Sequence, residues 1–369
     1  MGVSESYQRG RQFVVEQPGA VFLTVASIVV VLDVVRKLAV GAIALTQILG
    51  FVWDGLVIGL IIGLAGIGLS LTYSILGFAN FAHGDYISTG AFVGWSVAYL
   101  IAGLGRFDPT GLLLIGYGNG PAPGDVGISI THTPFAILVG LVVAIAGTVL
   151  VALLIDRFVY RPIRGADGIS LLIASIGVAF MLRYLLVVVY YNQRQGVTDL
   201  ASIPIYHVGG IQITAHEITI VVAAVALMLG VHFMLQRTKL GKAMRAMADN
   251  RDLAQVTGIP VERVIRTTWI LGAGLAGAAG YLVVLTQGTL SYNLGWLLLL
   301  LIFAAVILGG IGSVYGAIVG GLVIGLASKV SLIWLTGDLS SFARPVAFGL
   351  MIFVLLFRPS GIFGGVETA

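Results

Sequence analysis

Five ionisable residues interrupt long apolar runs: Asp54, Asp85, Arg183, His232 and Lys329. A charge inside a membrane is costly, so each is a candidate for function. Arg183 is the deepest, and it suits either a structural pairing or a place on a solute path. A proton-coupled carrier needs a relay of buried acids, and Asp54 with Asp85 makes a thin one. Gly241-Lys242 is followed by Ala243, not by the Ser or Thr of a G-x-x-x-x-G-K-[ST] loop, so no ATP is expected on this chain. Gly272-Ala273-Gly274-Leu275-Ala276-Gly277 matches G-x-G-x-x-G, but it lies in an apolar run with no strand before it. Helix packing is expected there rather than a dinucleotide site. His216-Glu217 lacks a second histidine at metal-binding spacing, and the chain has no cysteine. No catalytic residue, no metal and no cofactor are expected on this chain.

The polar residues gather elsewhere. In a chain that is 58% hydrophobic and 10% charged, the stretch 236–266 is the one long polar island. It carries Arg237, Lys239, Lys242, Arg245, Arg251, Arg263 and Arg266 against Asp249, Asp252 and Glu262. Short loops rich in Lys and Arg stay on the cytoplasmic side, so this island sets the orientation. A small helix is expected within it. Asp249 is a good N-cap, Asp252 sits near the positive end of the helix dipole, and Arg251 to Val256 gives about two turns. Gly258 and Pro260 stop it. Leu253, Ala254 and Val256 supply an apolar side. Such a helix suits insertion into a groove on a partner protein. A solvated loop that only fixes orientation is the other reading.

The surrounding elements are membrane spans. A mean hydropathy of +1.05 and 51 glycines accompany repeated apolar runs. Runs of about 20 such residues define an all-α, polytopic transmembrane helical bundle. About eight or nine spans are expected: 51–76, 85–104, 133–155, 169–192, 216–235, 267–286, 296–311, 314–334 and 343–357. Residues 1–50 read as an N-terminal extension with one extra span, in which Asp33 and Lys37 are spaced to neutralise each other. Gly55, Gly59 and Gly63 form a double G-x-x-x-G, expected to bring two helices close. The segment 77–85 carries Asn80, Phe81, His83 and Asp85 between two apolar runs. It reads as a re-entrant or broken segment near a solute path, or as a tight turn at the membrane face. The second basic loop, 156–168, has three arginines; the long connections 105–132 and 193–215 have one basic residue each. That bias puts the basic loops inside, and the net charge of +4 reads as topology rather than nucleic-acid binding.

Four stretches resemble the permease subunits of branched-chain amino acid (Liv-type) ABC importers, whose relatives include urea and short-chain amide importers. They are Gly68-Leu69-Ser70-Leu71-Thr72-Tyr73 with Asn80-Phe81-Ala82-His83-Gly84; Tyr160-Arg161-Pro162-Ile163-Arg164-Gly165; Thr238-Lys239-Leu240-Gly241-Lys242-Ala243 through Gly258-Ile259; and Val306 to Ser313 with the closing Leu355 to Gly364. The Asn80-Phe81-Ala82-His83-Gly84 core is more similar to the shorter of the two paired permeases. The resemblance covers 51–364 and implies a permease domain with 236–266 as its cytoplasmic coupling loop. It implies a cell-membrane protein with a second permease subunit, two cytosolic ATPase subunits that bind ATP and Mg, and an extracytoplasmic binding protein. It makes Asp249, Arg251, Asp252, Leu253, Ala254, Val256 and Gly258 the coupling element. Asn80, Phe81, His83, Asp85 and Arg183 would lie near the substrate pathway. Branched-chain or other hydrophobic amino acids are the expected cargo; urea or amides fit the same residues. A stand-alone secondary carrier or channel is the alternative from another class.

Overall fold

The computed structural model describes residues 18–104, 126–190, 192, 194–198 and 203–363. The first seventeen residues and most of the 105–132 connection lie outside them. Helix ends fall where the sequence supplies caps. Helix α1 spans Pro18–Ala39. Helix α2 (Leu45–Leu76) stops at Gly77, whose φ of 73° lets its N–H bond back to the Tyr73 carbonyl. Helix α3 is His83–Ala102, and α4 is Pro134–Ile155, entered through a proline that needs no amide partner. A wide π-type turn, Asp156–Tyr160, extends α4; α5 is Gly168–Tyr190. Helix α6 (Ala215–Arg237) opens with a capping box between Thr214 and Glu217. Helices α7 (Lys239–Asp249) and α8 (Arg251–Val256) form the polar island. Then follow α9 (Val261–Gln287), α10 (Leu294–Gly309), α11 (Val314–Val330) and α12 (Ala343–Phe357).

Seven helical segments among the described residues are long and apolar enough to cross a bilayer: Leu45–Leu76, Pro134–Tyr160, Gly168–Tyr190, Ala215–Arg237, Val261–Gln287, Val314–Ile333 and Gly337–Phe357. The expected spans 85–104 and 296–311 are helices too, but α10 is short and α3 carries Asp85, Ser88, Thr89 and Ser96. The bundle is helical almost throughout. The connection 193–215 is more structured than its sequence suggested. There β1 (Gln195–Gly196) pairs antiparallel with β4 (Thr289–Leu290). Strands β2 (Ile205–Val208) and β3 (Ile211–Thr214) form a hairpin turned by Gly209-Gly210, both at positive φ.

The centre of the bundle is α9, buried at every residue from Gly272 to Leu285. Small residues allow it to be. A Cβ at Gly272 would stand 2.8 Å from Thr72 Cγ2 on α2, and one at Gly277 2.7 Å from the Ala144 carbonyl on α4. The G-x-G-x-x-G run is therefore a packing surface. On α2, Gly55, Gly59 and Gly63 face α11: their Cβ positions lie 3.0, 2.9 and 3.3 Å from the Cα atoms of Leu326, Leu322 and Ile318. Lipid is as apolar as leucine, so burial alone gives helices little reason to associate. Close backbone approach supplies dispersion instead.

The helices alternate between two ends. At the basic end, Arg164 bonds Glu262, Tyr160 bonds Asn80, and Ser74 donates to the Gly312 carbonyl. The chain tail closes there, with the amides of Ile362 and Phe363 on the carbonyls of Leu308 and Gly309. At the opposite end lie the two ribbons, the Trp53–Glu217 bond and His216, which receives the Ile130 amide. Helix α1 reaches that end through Lys37, which donates to the Ile333 carbonyl. Asp33 does not pair with Lys37 as its spacing suggested. Arg36 takes it at 2.7 Å, and Trp334 Nε1 donates to its other oxygen.

Candidate functional site

The break between α2 and α3 is buried in protein. Asn80, His83 and Asp85 are wholly inaccessible. Irregular backbone at membrane depth needs such internal partners. Asn80 Oδ1 accepts from the Ala82 amide at 3.1 Å and from Tyr160 Oη at 3.3 Å. The Phe81 amide donates to Ser175 Oγ at 3.0 Å, and its ring meets Phe303 at 5.1 Å. His83 Nε2 lies 2.9 Å from the Ala65 carbonyl, which can only accept, so Nε2 carries the proton. Asp85 and Arg183 form a two-pronged bond, Nε to Oδ1 at 3.1 Å and Nη2 to Oδ2 at 2.9 Å. The guanidinium also lies over the rings of Trp296 and Phe180, at 4.8 and 5.4 Å. One segment thus ties α2, α3, α5 and α10 together. The sequence flagged Asp85 and Arg183 separately and Tyr160 only as the opening residue of the Tyr160–Gly165 stretch; Ser175 and Trp296 carried no signal beyond residue type.

The polar island is a rigid corner. Helix α7 buries Gly241, Met244 and Met247 and turns its charges outward. The N-cap of α8 is Asn250, not Asp249: its Oδ1 accepts from the Leu253 amide at 2.9 Å. Asn250 is extended (φ −155°, ψ 104°) and free to cap, whereas Asp249 is the last helical residue of α7. Gly258, at φ 84°, reverses the chain, and the Ile259 amide returns to the Ala254 carbonyl. The expected apolar side is split. Ala254 is buried, while Leu253 and Val256 are 61% and 85% exposed. Six residues make too short a helix to hide three apolar positions, and the small one goes inward. Arg164 clamps this corner to α4 with 2.7 Å bonds to Asp156 and Glu262. Desolvation works against its charge, yet the two carboxylates outweigh it and hold its pKa above the ordinary value.

At the other end a cavity of about 790 Å³ opens between α2, α6, α9, α10, α11 and α12. Its wall carries Asp54, Glu217, Lys329 and Arg344, with Val57, Leu298 and Leu301 beneath. Lys329 is 4.0 Å from Asp54, and Arg344 makes no ion pair among the described residues. His232, the fifth ionisable residue, only bonds Tyr315 Oη at 2.8 Å.

The model of a family described as the branched-chain amino acid transport system permease component matches residues 51–355. The chain belongs to that family. This permease is 30% identical over 319 residues to the high-affinity branched-chain amino acid transport system permease protein BraD of Pseudomonas aeruginosa, covering 85% of this chain and 95% of the relative. It is 30% identical over 325 residues to LivH of Escherichia coli, covering 86% and 95%. LivM of the same organism matches at 24% over 299 residues, covering 72% and 68%. No solved structure matches the permease. It is a multi-pass membrane transport protein, and its relatives are permeases rather than enzymes. Residues 18–39, the first described helix, precede the matched range.

Proposed function

We propose that this permease is the membrane subunit of an ABC importer for branched-chain or other hydrophobic amino acids, driven by ATP hydrolysed on separate subunits with Mg. The observation that carries the reading is α8: a short helix capped at both ends, clamped to the bundle through Arg164, with Leu253 and Val256 projecting from a charged surface. Exposed apolar side chains on a rigid mount suit a groove in a soluble partner. Asp249, Arg251, Asp252, Leu253, Ala254, Val256 and Gly258 form this coupling element. ATPase closure would press on α8, and the clamp would pass the movement to α4 and α9.

The basic end is then cytoplasmic, in a cell membrane, and the charged cavity opens toward an extracytoplasmic binding protein. That E. coli has two such proteins, LivH and LivM, supports a second, non-identical permease chain as partner. The Asn80–Phe81–His83–Asp85–Arg183 set braces the inner part of the pathway. Residues 1–50 form an extension carrying one extra span, ahead of a permease domain over 51–364. The test is Leu253→Arg in the assembled transporter. Uptake of leucine and co-purification of the ATPase should both fall at least tenfold, while membrane insertion stays intact. Normal ATPase retention would remove α8 from the coupling role.

A further inference from the structure

A second pocket, of about 290 Å³, lies where α4 and α9 meet at the basic end. Arg157, Arg161 and Arg266 line it with Asp156, Glu262, Leu150, Leu153 and Leu154. Both carboxylates are already engaged by Arg164. Four arginines against two carboxylates leave a surplus of two positive charges. Arg157, Arg161 and Arg266 have no ion-pair partner among the described residues, and all three are exposed. The wall above them is apolar. Positions 150, 153, 154 and 157 share one helical face, so a leucine stripe on α4 runs straight down to Arg157. Leu150 and Leu154 are exposed on the outside of the bundle. Arg266 is the last residue of the polar island before the apolar run 267–286, the junction at which a headgroup meets hydrocarbon.

We propose that this pocket holds the phosphate headgroup of an anionic phospholipid, with an acyl chain laid along Leu150, Leu153 and Leu154. Guanidinium groups suit phosphate oxygens because they donate in a planar fork. Asp156 and Glu262 are both bonded to Arg164, and the one negative charge left over is outweighed by Arg157, Arg161 and Arg266. The lipid would sit beside the Arg164 clamp, next to the mount of α8.

The full chain, purified in detergent, is titrated with cardiolipin or phosphatidylglycerol and read by native mass spectrometry. Phosphatidylcholine and glycerol phosphate are the comparison probes. Wild type should hold the anionic lipid at least fivefold more than phosphatidylcholine, and glycerol phosphate alone should bind at least tenfold more weakly. Arg157→Ala/Arg161→Ala/Arg266→Ala should remove the preference. Leu154→Glu, which leaves every arginine in place, should weaken retention of the lipid without creating binding of glycerol phosphate. Equal lipid binding by wild type and the triple variant overturns the proposal. So does tight binding of glycerol phosphate, which makes the site one for free phosphate. If the triple variant keeps its lipid but loses a co-purifying protein, the face is a protein contact and the proposal fails.

Discussion

Arg183 is held by two carboxylate bonds and two aromatic rings, with Asp85 fully buried beneath it. Removing one partner of such a pair strands the other charge in a medium that cannot solvate it. Arg183→Ala should therefore destabilise the bundle by about 3–5 kcal/mol. Denaturation of the purified protein in detergent measures it. Asp85→Asn combined with Arg183→Gln should cost less than Arg183→Ala alone, because no net charge is left behind. A double variant no better than the single one would place the importance of Arg183 in its ring contacts. Asp167 behaves differently, being exposed at the start of α5. Its side chain takes hydrogen bonds from Ser170, and these hold its pKa below the ordinary 3.8. A carboxylate lowered in the folded state stabilises above its unfolded pKa and loses that contribution as pH falls through the folded value. Protection of the Ser170 amide, corrected for intrinsic exchange, should be constant above about pH 5 and drop below 3.8. Asp167→Asn should flatten that dependence.

Among the elements, the pairing of α2 with α11 depends most on single atoms. A Cβ at Gly59 would come within 2.9 Å of Leu322 Cα, and the opposing Gly321 would meet Gly63 Cα at 2.6 Å. Neither contact is with a flexible side-chain tip, so the helices must move apart. Gly59→Val should cost about 1–3 kcal/mol as overpacking, seen as a lower unfolding midpoint. Gly50→Val on the same helix meets open space and should cost much less. The spacing 55, 59, 63 was legible in the sequence, because every fourth residue shares a helix face. The partner helix was not. Nothing local to α2 says that residues 318–326 are the ones that come near. The cap of α8 shows the same limit at shorter range. Both Asp249 and Asn250 are capping residues by type, and only the end of α7 decides between them.

The molecule has a charged cavity at one end and the Arg164-clamped helix α8 at the other, with α2 running between. Its 32 residues span about 48 Å, more than the hydrocarbon core of a bilayer. The proposed cargo, a branched-chain α-amino acid, has both charges and an apolar side chain. The cavity offers Asp54, Glu217, Lys329 and Arg344 over Val57 and Leu298. The chain has no cysteine, so Ser341→Cys places its one thiol on the cavity rim. On the proposed importer reading, leucine with the binding protein should slow modification of that thiol by a membrane-impermeant reagent at least threefold. Unchanged labelling would move the entry route elsewhere.

Seven of the nine expected spans, the charge of each loop and the family motifs were readable from the chain, because apolar length and loop charge are properties of contiguous residues; 85–104 and 296–311 are helices that fall outside those seven. The tertiary structure alone decided that Asp85 and Arg183, 98 positions apart, are one pair, that Arg164 joins two basic loops, and that Leu253 and Val256 point away from the bundle while Ala254 points in. Those outcomes depend on how helices from distant parts of the chain fit together. In an apolar solvent that fit is set by backbone approach and buried partners, which no local pattern of residues encodes.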